Sequence, residues 1–223
     1  MLPLNDDLRS RTRPVVTYAI LTANILVYIY EISLGETLGE FVLQFGVVPY
    51  FIFHPTGIHS YLTLFTSMFI HASTIMHIAG NMLFLWIFAD NVEDRMGHVK
   101  FLLFYFVCGI CAGLLQSAID PASRVPMIGA SGAVSGVLGA YILLYPRAKV
   151  IALIPLGFFM RVSQLPSYIF LGIWFLYQFL FGVSSVGAKG GVAYFAHIGG
   201  FIAGLLLALP FKVKKKDIDY DIY

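Results

Sequence analysis

Four polar residues interrupt otherwise apolar stretches of the chain, and their types suit acyl transfer: His77, Asn81, Ser131 and His197. A serine hydroxyl is a weak nucleophile until a base takes its proton, and an imidazole does this near neutral pH. The tetrahedral oxyanion that follows needs fixed hydrogen-bond donors. The backbone N–H of Ser131, at an expected helix start, is one. The Asn81 amide and the His77 imidazole, four residues apart on one helical face, are the other candidates. No Asp or Glu is expected beside them, so the pattern reads as a Ser–His dyad rather than a triad. Asp90 and Glu31 are set aside as lying toward the opposite ends of their spans.

Those residues need elements that bring them together, and composition says where. The 223 residues are 59% hydrophobic and 12% charged, whereas a soluble domain carries about 25% charged residues. Lipid is therefore the expected solvent. A spanning helix needs roughly 20 apolar residues, and six stretches qualify: about Val15–Ser33, Ile75–Ala89, Phe101–Ala118, Ser131–Tyr145, Ser167–Gly182 and Val192–Phe211. A seventh run, Val150–Met160, is short and holds Pro155 and Gly157; it reads as a loop on the membrane surface. With both termini cytoplasmic, all 14 Lys and Arg except Arg124 and Lys189 fall inside, a strong positive-inside bias. The second, fourth and sixth spans then start from the outer side. His77, Asn81, Ser131 and His197 all lie near those starts, at one depth. Ionisable and polar groups inside a membrane are functional candidates, and four polar residues that agree in depth point to one site.

The expected organisation is an all-α membrane protein: a cytoplasmic segment 1–13, a six-helix membrane domain 14–211, and a basic cytoplasmic tail 212–223. Gly132, Gly136 and Gly139 in the fourth span, and Gly200 and Gly204 in the sixth, form small-residue faces that allow close helix packing. Packing these faces together would carry Ser131 to His197. Taken alone, the glycines around Ser131 are more often a packing seam, and a lone membrane histidine is more often a satisfied core residue; matched depth shifts the balance to catalysis. Cys108 and Cys111 sit inside an apolar run without a second pair and read as packing residues. The net charge of +2, without a basic stripe interleaved with aromatics, excludes a nucleic-acid partner. No cleavable signal sequence is expected. Bulky rings on the fifth span, among them Trp174 and Phe175, facing Phe84 and Trp86 of the second, make that joint the expected entry route for a substrate.

At this point the residues resemble the rhomboid family. The resemblance rests on G-A-S-G-A-V-S-G-V-L-G-A at Gly129–Ala140, A-H-I-G-G-F-I-A-G at Ala196–Gly204, and H-I-A-G-N at His77–Asn81, with His71 just upstream. The loop Asp90–Gly97 is similar to the family's acidic loop closing on glycine. The resemblance implies a rhomboid-like bundle of six transmembrane helices acting as an intramembrane serine endopeptidase. Ser131 would be the nucleophile and His197 the base. His77, Asn81 and the Ser131 amide would form the oxyanion hole. Substrates would be single-span membrane proteins cut near the outer end of their helix, within the lipid bilayer, with no metal or cofactor. A multi-pass protein of a prokaryotic plasma membrane is the expected setting. Three departures stand out. A Trp-Arg pair in the first outer loop is absent. Ser135 occupies the position of an aromatic that stacks on the histidine in several members, so His197 must be held some other way, a ring from a neighbouring helix being one option, and what orients it stays open. Gly80 replaces a bulky residue before Asn81. The competing readings are a catalytically inactive rhomboid-like factor that binds membrane proteins, and a small transporter. The first is disfavoured because such relatives typically lack the serine or the histidine. The second is disfavoured by the absence of proton-relay carboxylates and of a duplicated half.

Overall fold

The computed structural model describes residues 1–72, 75–156, 159–185 and 192–212. A short strand, β1 (Leu2–Asp6), precedes α1 (Val15–Ser33). Three short helices follow: α2 (Leu38–Phe45), α3 (Pro49–Phe53) and α4 (His59–Thr66). Then come α5 (Ile75–Met96), α6 (His98–Ile119) and α7 (Ser131–Leu144), a hairpin of β2 (Lys149–Leu156) and β3 (Phe159–Pro166), and finally α8 (Ser167–Ser184) and α9 (Tyr194–Leu207). Four of these helices, α1, α5, α6 and α8, are long and apolar enough to cross a membrane; α7 and α9 are shorter and apolar. The basic tail beyond Lys212, and residues 186–191 with Lys189, lie outside the described residues.

The chain is mostly helical, and the sheet is a departure from an all-α reading. The run from Val150 to Met160 is not a surface loop. It forms β2 and the start of β3, and β1 joins them in one antiparallel sheet in the order β1-β2-β3. Val150 and Ala152 are buried while their neighbours are not, the period-two pattern of a half-buried strand. Pro155 falls beyond the part of β2 that β1 covers. There β2 has a free edge on that side, and an edge tolerates a missing N–H.

The start of α1 has no cap of its own. Glu93, fully buried on α5, accepts hydrogen bonds from the backbone of Val16 at 2.9 Å and Thr17 at 2.7 Å, and from the Thr17 hydroxyl at 2.7 Å. It thereby satisfies donors that a helix start leaves open. His98 also reaches Glu93, and Arg95 donates to the Phe211 carbonyl, so Asp90–Met96, expected as a loop, is the last part of α5 and staples its neighbours. The α5–α6 corner turns at Gly97, whose φ of +78° belongs to the left-handed region.

The centre of the bundle is α7, buried from Gly132 to Tyr141. At about 1.5 Å per residue its 14 residues span about 21 Å, less than a hydrocarbon core of about 30 Å. Its closest partner is α9. A side chain on Gly200 would collide with the Gly132 carbonyl, one on Gly204 with the Gly136 carbonyl, and one on Gly139 with the Phe201 carbonyl. These glycines let the two backbones touch. Cys108 of α6, a buried free thiol, packs on Gly136 from the other side.

Attachment of α8 is looser. Phe175 stacks on Phe201 of α9 with centroids 4.5 Å apart. Toward α5 its ring contacts are Phe84–Trp174 at 6.5 Å and Phe88–Phe170 at 6.4 Å. Trp86 does not belong to that joint: it stacks on Tyr18 of α1.

Candidate active site

The α7–α9 glycine contact determines what the N-terminal ends of these two helices hold. Ser131 is the first residue of α7 and His197 lies in the first turn of α9. His197 Nε2 stands 2.8 Å from Ser131 Oγ. On the other side of the ring, Nδ1 stands 2.8 Å from Oε1 of Gln178 on α8. An amide oxygen only accepts, so with Oε1 facing the ring Nδ1 would carry the proton and Nε2 would present its lone pair to the serine hydroxyl. The Trp174 ring, one turn before Gln178, lies 6.2 Å from the imidazole, and Tyr194 meets it edge-on at 6.4 Å. Ser135 does not hold the histidine; its hydroxyl donates back to the Ser131 carbonyl at 2.6 Å.

The pair faces a cavity of about 770 Å³ that His77, Asn81, Trp174 and Gln178 also line. Asn81 is 7% exposed, and its Nδ2 has no hydrogen-bond partner among the described residues. A buried amide donor without an acceptor is costly, and here it borders the space beside Ser131. The preceding loop is shaped to let these groups approach. Gly129 has φ of +115°, and any Cβ there would meet the His77 ring. Its N–H donates to the Ser67 carbonyl at 2.9 Å. Thus His77, Asn81, Ser131 and His197 share one cavity. Among the described residues no group of three His, Cys, Asp or Glu side chains is arranged to hold a metal ion.

Two residues near the site escaped sequence reasoning. Gln178 is one; its signal is slight, a single carboxamide in α8. Glu31 is the other: it was expected at the opposite depth, but it is buried at the C-terminal end of α1 beside the site, and both carboxylate oxygens accept the His71 N–H, at 2.9 and 3.0 Å. The His71 ring in turn accepts the Ala130 N–H at 3.4 Å and packs on His77 with centroids 5.1 Å apart. Glu31 therefore supports the loop behind Ser131 without touching His197.

Apolar helices long enough to cross a membrane, with a serine–imidazole pair facing a polar-lined cavity, define the class as a multi-pass membrane protein. A family model described as the Rhomboid domain matches residues 59–213. The chain is 32% identical over 199 residues to "Rhomboid protease GluP" of Bacillus subtilis (strain 168), which covers 89% of this chain and 36% of that protein. It is 30% identical over 163 residues to "RHOMBOID-like protein 1" of Arabidopsis thaliana, covering 70% of this chain and 36% of the relative. It is 30% identical over 169 residues to "Presenilin-associated rhomboid-like protein A, mitochondrial" of Danio rerio, covering 73% and 41%. The chain belongs to the rhomboid family. It spans well under half the length of these three relatives.

Proposed function

We propose that this chain is an intramembrane serine endopeptidase that cuts the spanning helices of membrane-protein substrates. Its six apolar helices α1, α5, α6, α7, α8 and α9 cross the bilayer with both termini cytoplasmic. The observation that carries the reading is the 2.8 Å approach of His197 Nε2 to Ser131 Oγ, beside the unpartnered Nδ2 of Asn81.

Ser131 Oγ attacks the scissile carbonyl carbon while His197 Nε2 takes its proton. The C–O bond forms, and the carbonyl π electrons move onto oxygen. That oxyanion is met by Asn81 Nδ2, the His77 imidazole and the Ser131 N–H, donors already in place before charge develops. Its collapse breaks the C–N bond, and the proton on Nε2 passes to the leaving amine. Water then repeats the sequence on the acyl ester and frees Ser131. The opening α7 makes by starting below the surface supplies that water; irregular backbone at such depth is tolerated where it lines water or protein.

A spanning substrate helix must arrive sideways. The α5–α8 joint, held by rings rather than by backbone contact, is the proposed entry. A disulfide engineered across its outer end should block cleavage of an embedded substrate, with recovery on reduction; cleavage at the normal rate while cross-linked would place entry elsewhere. The reaction itself is tested with a fluorophosphonate, which should label Ser131 in the purified protein. Ser131→Ala should lose both labelling and cleavage. Protein that binds membrane proteins but neither labels nor cuts would be the inactive factor instead.

A further inference from the structure

The imidazole of His197 has two ring nitrogens, and the dyad chemistry uses one. The other is occupied. Gln178 Oε1 lies 2.8 Å from Nδ1, and this is the hydrogen bond Gln178 makes among the described residues. The side chain is 7% exposed, in the middle of the α8–α9 contact. Phe175 on one side of it stacks on Phe201, and Gly182 on the other faces Tyr194 and Ile198. Every other residue of α8 between Ser167 and Ser184 is apolar, aromatic or glycine. A leucine at 178 would fill the same space without desolvating an amide. Burying a carboxamide here therefore has one evident return, the bond to the base.

We propose that Gln178 is the positioning residue of the base, so that Ser131, His197 and Gln178 act as a relay whose third member is a neutral amide. The amide fixes the tautomer. While Oε1 holds Nδ1–H, the lone pair on Nε2 stays directed at Ser131. With the opposite tautomer Nε2 would carry the proton and could not act as base, which in a soluble triad is severely damaging. The amide also fixes ring rotation together with Trp174, the task Ser135 is too small and too occupied to perform. Because Gln178 sits on α8, the base is aligned by the most loosely held helix around the cavity, and displacement of α8 would misalign it.

This inference rests on the proposed nucleophile, and the test separates the two. The rate of fluorophosphonate labelling at Ser131 is measured against reagent concentration, giving a maximal rate and a half-saturating concentration. Wild-type protein that fails to label overturns the nucleophile and this relay together. If wild type labels, Gln178→Leu should lower the maximal rate about tenfold to a hundredfold, the scale of breaking one buried hydrogen bond. The half-saturating concentration should stay within about twofold, since the bond acts in the reacting state. Gln178→Glu, which keeps an acceptor at the same reach, should recover most of the rate. Labelling of Gln178→Leu at the wild-type rate overturns the relay alone, and equal slowing in Leu and Glu variants reduces Gln178 to packing. A measurement without substitution guards against misfolding. Nitrogen-15 NMR of histidine-labelled wild type should find His197 protonated at Nδ1 with a downfield hydrogen-bonded proton; protonation at Nε2 overturns the proposal.

Discussion

The two ends of α7 both bury polar groups, and they are finished differently. At the end opposite Ser131, Tyr141 donates to Asp6 Oδ2, Asn91 Nδ2 donates to the same oxygen at 3.1 Å, and Tyr145 donates to the Asn91 carbonyl at 3.0 Å. Every donor in that cluster has an acceptor, and the cluster ties β1 to α5 and α7. At the Ser131 end a cavity remains and Asn81 Nδ2 has no partner among the described residues. A completed network specifies structure, whereas, on the proposed reading, the open amide beside Ser131 specifies a place for charge to develop. Polar burial alone does not mark a reactive site; incompleteness beside an open space does.

That contrast breaks most sharply at His197. His197→Ala should lower cleavage by at least about 10³, because base and nucleophile act as a unit, while leaving the melting temperature in detergent nearly unchanged. Cleavage should also disappear at acid pH as the imidazole protonates; a rate flat down to about pH 4, well below the usual histidine range, would remove His197 as base. Asn81→Ala comes next. Losing one oxyanion donor costs about 10²–10³ in kcat in a soluble serine protease, and the loss here should fall on kcat rather than KM. A pure KM effect would reassign Asn81 to substrate binding. At the other end the readouts should exchange. Tyr141→Phe should leave kcat within about threefold and cost about 1–2 kcal/mol of stability, the price of a buried acceptor losing its donor, read from thermal unfolding.

The smallest expected effect concerns Asp6. Burial pushes its carboxyl up from 3.8 to about 6, so the folded chain binds that proton more tightly than the unfolded one. Its contribution to stability is therefore full below about pH 4 and lost as pH rises through about 6. The wild-type melting temperature minus that of Asp6→Asn should grow as pH falls from 7 to about 4; a constant difference would mean that Asp6 does not titrate in that window.

The four candidate residues that share the cavity were visible in the sequence because apolar surroundings make each polar group conspicuous, and because three spans were expected to begin on one side. The same depth argument, applied evenly, reaches two more residues. Gln178 lies at the same level on α8, but as one amide among bulky rings, without a second carboxamide on its helix, it carries no pattern of its own. Glu31 closes a span that runs outward, so its C-terminal end shares the depth of Ser131 and not the opposite one. The sheet was hidden for other reasons. Pro155 and Gly157 read as breakers, and β1 is only five residues long with its partner far along the chain, so no local period announces the pairing. Trp86 shows a related limit: being on the right helix does not say which neighbour a ring meets.

The pairing of β1 with β2 also orders events in time. Leu2 lies opposite Leu153 and Asp6 opposite Val150, and Asp6 takes its hydrogen bond from Tyr141. A ribosome adding about 5–20 residues per second needs roughly 7–30 s to travel that far. For that interval the first strand has neither its sheet nor its tyrosine, while α1, α5 and α6 are already being delivered to the membrane. β1 is thus made well before α7 yet can be seated only after the helix carrying Ser131 has been made.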